Sequence, residues 1–358
     1  MIRRPTRWVA APRWAARSAL AVMVALMAYG GWRAQTSPLG PRSPSAVSGD
    51  GNLDAALYRR VAERMHEGDS YYTAARQELE ASGYPTRSVF NFRFPTLAWL
   101  LAAFPSPRGA RVFLSVLAAL TLLLWFLVLR RTESFGTAVL CCSLLVGLLA
   151  WPVLDDAFLV HEVWAGILIA LSIAALADGR TATGIVAGAA ALSIRELALP
   201  YVCLALGDAL RRGRRREAWA WAIVIGGFGI ALAAHAAAVR TIASGAGAAP
   251  GAWIQLGGWP FVLKTAMMNA WLIAAPPIVT AIVLPLALGG LAGWSSPLGT
   301  RVAAVVAVYA GAFLIVGQTF NHMWGFMYSG LALVGLAFAP AAIRDLLRAA
   351  WIGGVSNA

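Results

Sequence analysis

The sequence predicts an all-α polytopic membrane protein, and three observations carry that expectation. Of 358 residues, 59% are hydrophobic, against roughly 45–50% in a typical soluble domain. Several apolar runs approach or exceed the ~18–20 residues that a bilayer-spanning helix requires. Finally, 28 Arg and one Lys stand against 16 acids, a net charge of +13, and the arginines lie between the apolar runs. That placement is what the positive-inside rule expects of a membrane chain. Aromatic-interleaved basic strips of the nucleic-acid type are absent, so no nucleic-acid partner is expected.

Residues 1–32 read as a cytoplasmic tail and anchor helix. Arg3, Arg4, Arg7, Arg13 and Arg17 precede the apolar run 18–32 without an acid. The long basic region favours a retained anchor over a cleaved signal peptide, with the N-terminus inside. Residues 33–109 form a long outer loop. Within it, 33–51 is a Pro/Gly/Ser linker. Asp50 or Asn52 then caps a helix to about Glu67, and a second helix runs from about Asp69 to Ser82, ended by Gly83. Eight arginines and seven acids leave 33–94 nearly neutral, and lipid would reject 50–95. The apolar piece 95–106 spans only ~18 Å as a helix, too short to cross, so it reads as interfacial or re-entrant.

Residues 110–341 supply the helical bundle. Spans are expected at 110–129, 136–153 and 157–177. The stretch 183–210 becomes a hairpin broken before Pro200, because five arginines at 211–216 belong inside. A span at 217–239, a Gly/Ala/Pro loop at 240–260, a helix from Phe261 kinked at Pro276-Pro277, and spans at 300–317 and 326–341 follow. The total is about ten crossings, with the 342–358 tail cytoplasmic. Cys141, Cys142 and Cys203 lie in spans and form neither a disulfide framework nor a metal spacing.

Under that topology the outer face carries the functional polar groups. Asp54 and Tyr58 share one helix face, one turn apart. Gly68-Asp69-Ser70-Tyr71-Tyr72 follows; tyrosine hydrogen-bonds to and stacks on sugars, and it also populates lipid interfaces. A solvated amphipathic helix with belt aromatics fits the same residues. In Phe90-Asn91-Phe92-Arg93-Phe94 a guanidinium stands among three phenylalanines, suited to a two-point grip on phosphate or to snorkelling. His161-Glu162-Val163-Trp164-Ala165-Gly166 opens a span, and Arg195-Glu196 tips the hairpin. A charge at bilayer depth costs at least ~2.5–3.5 kcal/mol, so such residues face a polar cavity or a partner. The last outer loop, 318–325, offers Asn321, His322 and Trp324 to a carbohydrate or lipid-phosphate pocket, although a lone interfacial His equally serves as a surface hydrogen-bonder. His235, inside a span, reads as structural.

Walker, dinucleotide, HExxH and Gly-x-Ser-x-Gly motifs are all absent. An outward-facing enzyme would lack cytosolic nucleotide sugars, so its donor should be attached to lipid. No cofactor is called for; dependence on a divalent metal stays open.

These residues bring a family into view. An anchor helix, a long first outer loop with an early Asp, an interfacial helix and some ten spans resemble the GT-C superfamily of integral-membrane glycosyltransferases over about 16–341. The strings Asp54…Tyr58, Gly68-x2-Tyr71-Tyr72, His161-Glu162-x-Trp164-Ala165-Gly166 and Arg195-Glu196-Leu197 look like those of bacterial polyprenyl-phosphate-sugar-dependent members. The paired Asp-Glu or Asp-Asp of some members' first loop is missing. The resemblance implies transfer of a sugar, with inversion, from a polyprenyl-phosphate donor to a glycan or lipid acceptor on the outer face of the inner or plasma membrane. It implies Asp54 as base and Arg93 and Arg195 as holders of the departing phosphate. Glu162 and Glu196 would bind sugar hydroxyls or orient those arginines, with Tyr58, Tyr71, Tyr72, Asn321, His322 and Trp324 completing the substrate pocket. Two other readings share these features: a transporter or flippase for a lipid-linked sugar, and an envelope-glycan polymerase or ligase.

Overall fold

The computed structural model describes residues 6–36, 53–84, 86, 88–154, 156–242 and 255–352. Among these residues are fifteen α-helices joined by turns and short 3-10 segments, and no strand. The expected caps Asp50 and Asn52 lie outside the described residues, as do most of the 33–51 linker and much of the 240–260 loop.

Among the described residues, four helices are long and apolar enough to cross a membrane. They are α1 (Arg13–Thr36), α5 (Pro107–Thr132), α10 (Arg215–Ile242) and α13 (Pro297–Ile315). A bent pair, Ser329–Ala337 with Ala339–Trp351, makes a fifth if its halves, inclined at 64°, count as one span. On α5 the reason is legible face by face. Ala110, Leu114, Ala118, Thr121, Trp125 and Val128 are buried, while Val112, Val116, Leu120, Leu123 and Leu127 stand exposed. Both rows follow helical spacing, so the helix is apolar on its outer face as well as its inner one. Such a surface needs an apolar solvent.

The shorter apolar helices α6 (Phe135–Leu149), α7 (His161–Ala177), α8 (Thr181–Ile194) and α12 (Pro277–Gly293) pack against this set, and only α7 is enclosed nearly throughout. α7 is the centre: nearly every residue from His161 to Leu176 is buried. Glycine lets neighbours approach it closely. A Cβ on Gly166 would sit 2.2 Å from the Phe326 carbonyl oxygen, so the 319–327 turn can lie directly against α7.

Polar contacts collect at two ends of the bundle. At one end, Arg59 and Arg111 meet Asp156, Arg60 and Arg64 meet Glu78, and Arg195 meets Glu162. At the other, Arg131 and Arg180 share Asp178, Arg344 pairs with Asp345, and Trp294 donates to Glu133. Asp208, near the end of α9 (Leu199–Arg211), joins this second group through Arg301.

Between Ile194 and Leu199 the chain reverses. The break falls at Arg195, whose extended backbone stops α8 before a 3-10 turn, 196–198. Tyr201 then bonds Ser172 at 2.5 Å, and Asp208 reaches the opposite end.

Two expectations need correction. The interfacial stretch is a helix only over Thr96–Ala102 (α4), about 10 Å long. The single kinked helix from Phe261 is instead two: α11 (Gly258–Ala266) and α12. Between them the backbone turns to other partners. Ala270 N–H donates to the Gly147 carbonyl at 2.7 Å, and Trp271 N–H to the Asn269 side chain at 3.0 Å.

Candidate functional site

The segment from α2 (Leu53–His66) to α4 caps the first end of the bundle. α2 and α3 (Tyr71–Ala81) pair through one apolar seam. On α3 the buried residues are Tyr71, Ala74, Ala75, Glu78 and Leu79, the spacing of an amphipathic helix. Ser70 starts α3 by accepting the Thr73 N–H at 3.3 Å. Its end is a left-handed Gly83, φ +72°, with Tyr84 N–H donating to the Leu79 carbonyl at 2.9 Å. That turn aims Tyr84 back at α2, where its hydroxyl donates to Asp54 Oδ1 at 2.6 Å. Tyr84 was not among the residues selected from sequence; its only signal is its place just after the helix-ending glycine.

Arg93 occupies the next turn with φ +54°, the one non-glycine residue at positive φ among the described residues. Left-handed backbone is strained for a side chain carrying a Cβ. The Tyr71 hydroxyl holds it there, donating to the carbonyls of Phe92 and, at 3.1 Å, Arg93. Arg93 Nε donates to Tyr58 Oη at 2.9 Å and Nη1 to the Phe90 carbonyl at 3.0 Å. Burial alone would lower the Arg93 value, but the carboxylates of Glu162, Glu196 and Asp54 hold it well above the ordinary one. Burial pushes the Tyr58 phenol up, against the Arg93 charge; burial and the Asp54 charge push Tyr84 up. Both phenols therefore keep their protons at neutral pH. Tyr58, accepting from Arg93, retains its own O–H as a donor.

Below this cap lies a buried charge group. Arg195 is 1% exposed; its Nε stands 2.9 Å from Glu162 Oε1, and Nη1 donates to Glu196. His161, beside Glu162 at the start of α7, packs edge-on to Tyr58 with ring centroids 4.5 Å apart. Asp54, Tyr58, Arg93, Glu162, Arg195 and Glu196 thus form one electrostatically connected group drawn from four stretches of sequence.

The remaining candidates are placed differently. Tyr71 is buried and its hydroxyl is committed to backbone, so it positions Arg93. Tyr72 bonds His235 Nδ1 at 3.0 Å, tying α3 to α10. Trp324 is buried beside Phe313, with centroids 5.9 Å apart, and belongs to the core. Asn321 is buried too, with no partner for its Nδ2 among the described residues. Asn321 and His322 lie in the 319–327 turn, which packs against α7 and touches the 196–198 turn.

The site is closed. A cavity of about 20 Å³ among Tyr58, Tyr71, Arg93 and His161 has room for one water and not for a sugar. The larger cavity, about 650 Å³, lies at the opposite end. No group of three or more His, Cys, Asp or Glu side chains able to hold a metal occurs among the described residues.

No family model matches the chain, and no curated protein or solved structure matches it.

Proposed function

We propose that this chain is a GT-C-like glycosyltransferase of about ten crossings, moving a sugar from a polyprenyl-phosphate donor to an envelope glycan or lipid acceptor. In this reading the 53–95 end faces the periplasm or exterior, both termini are cytoplasmic, and the membrane is the inner or plasma membrane. The observation that carries it is the convergence of Asp54, Arg93, Glu162, Arg195 and Glu196 on one end of an apolar bundle.

The chemistry follows from which groups are already engaged. The acceptor oxygen attacks the anomeric carbon as the bond from that carbon to the phosphate oxygen breaks. Asp54 takes the acceptor proton, after its hydrogen bond from Tyr84 yields to the acceptor hydroxyl. The leaving phosphate gains negative charge, which Arg93 stabilises. Two carboxylates already bracket Arg195, so its role is to hold Glu162 and Glu196 in place for sugar hydroxyls. The cavity beside Tyr58 and Arg93 admits no sugar, so in this reading the α2–α4 cap lifts for substrate to enter.

Transfer from polyprenyl-phosphate sugars in membranes carrying Asp54→Asn tests the assignment. A fall of ~10²–10⁴-fold is expected; unchanged transfer removes Asp54 from the mechanism. If the unaltered chain transfers no sugar but moves the intact lipid-linked sugar across vesicles, the enzyme reading gives way to transport.

A further inference from the structure

The larger cavity lies away from this chemistry. It is a groove between α9 and α13, floored by α7, and its walls are mainly apolar: Leu176, Pro200, Leu204, Ala304 and Val308 among them. Cys203 and Gly207 are exposed along it, so it opens sideways to whatever surrounds the bundle. From Pro200 to Arg211 it follows α9 for about 16 Å, close to half the ~30 Å bilayer core.

Its polar end is positive. Arg211, Arg212 and Arg301 all donate to one carboxylate, Asp208, at 2.9, 2.8 and 3.1 Å. Glu217 on the same rim is matched by Arg214 at 3.2 Å. Arg7 adds a guanidinium, donating to Thr300 at the groove edge. Three arginines on one acid leave a surplus of positive charge, and Arg211, with 66% of its side chain exposed, is free to turn outward. An apolar groove about one leaflet deep, exposed along one side and capped by surplus guanidinium, is complementary to an anionic lipid.

We propose that this groove binds an anionic glycerophospholipid of the arginine-side leaflet, one acyl chain between α9 and α13 and the phosphate against Arg211 and Arg301. This does not rest on the glycosyl-transfer reading. The surface potential of anionic lipid attracts such arginines, and the apolar walls replace the lipid neighbours of the chain.

The test uses the full chain, delipidated in detergent and supplied with equal phosphatidylglycerol and phosphatidylcholine, with retained lipid counted by native mass spectrometry. A preference on the order of tenfold for phosphatidylglycerol is expected. Arg211→Gln with Arg301→Gln should abolish the preference. Gly207→Phe, at a position whose Cβ would meet no atom within 4 Å, should block the channel and lower retention of both lipids without disturbing the fold. Equal retention of the two lipids, or a preference unchanged in both variants, overturns the proposal. So does a preference for polyprenyl phosphate over phosphatidylglycerol in a competing arm.

Discussion

Arg195 Nε and Glu162 Oε1 stand 2.9 Å apart with their side chains 1% and 4% exposed, so neither charge has water to fall back on. Glu196 is a second carboxylate for the same guanidinium. Removing the shared cation therefore strands two acids, whereas removing Glu162 leaves Arg195 one partner. Arg195→Met should cost ~3–5 kcal/mol of stability. Glu162→Gln should cost less, ~1–3 kcal/mol. Thermal unfolding in detergent reads the difference; equal losses would mean that Glu196 does not share the cation.

Tyr72 and His235 tie the cap to α10 through a 3.0 Å hydrogen bond. Tyr72→Phe removes the bond and keeps the ring. At ~1 kcal/mol the cap should open about fivefold more often. Hydrogen exchange of the 53–81 backbone should quicken by that factor while α7 amides are unchanged. Uniform acceleration through both regions would place the effect on global stability instead.

Gly166 and Gly226 provide a matched pair of substitutions. A Cβ at Gly166 would press on the Phe326 carbonyl, whereas one at Gly226 meets nothing within 4 Å. Gly166→Ala should destabilise by ~1–3 kcal/mol. Gly226→Ala should be neutral or stabilise by up to ~1 kcal/mol, as alanine favours helix. Melting temperatures of the two variants should move in different directions; a harmless Gly166→Ala would contradict the close packing of the 319–327 turn on α7.

Glu78 makes the cap sensitive to acid. Burial would raise its carboxyl, but hydrogen bonds from Arg64 and Arg60 and their charges outweigh burial and hold it below the usual value. A depressed value in the folded state means stability that is present above the unfolded carboxylate value. It is lost as the pH falls through the folded one. The cap should therefore loosen on acidification, followed by limited proteolysis at 53–81 against pH. Glu78→Gln should flatten that acid limb and leave the neutral range less stable; an unchanged acid limb would exclude Glu78 as its source.

Much of the cap was legible because its signals are local. The helix expected from about Asp69 to Ser82 and ended by Gly83 is α3, bounded by Ser70 and Gly83 through bonds made within a few residues. The halt of α11 at Ala266 was not legible. It depends on the Gly147 carbonyl, on a distant helix, capturing Ala270 N–H. Tyr71 and Trp324 show the same limit from the other side: the family resemblance implies ligand-facing aromatics, but packing turns one onto a backbone turn and the other into the core.

Sequence alone determined that the chain is helical and apolar, and where its arginines gather. Each is a property of a run of residues, summed over hydropathy, charge and helical period. Tertiary structure decided which charges meet. Asp54, Arg93, Glu162 and Arg195 lie far apart along the chain, and only the reversal at Arg195, with the cap folded over α7, makes them one group. Burying a charge is too costly to leave unpaired. Helix packing selects the partner, and that choice is written in no single stretch.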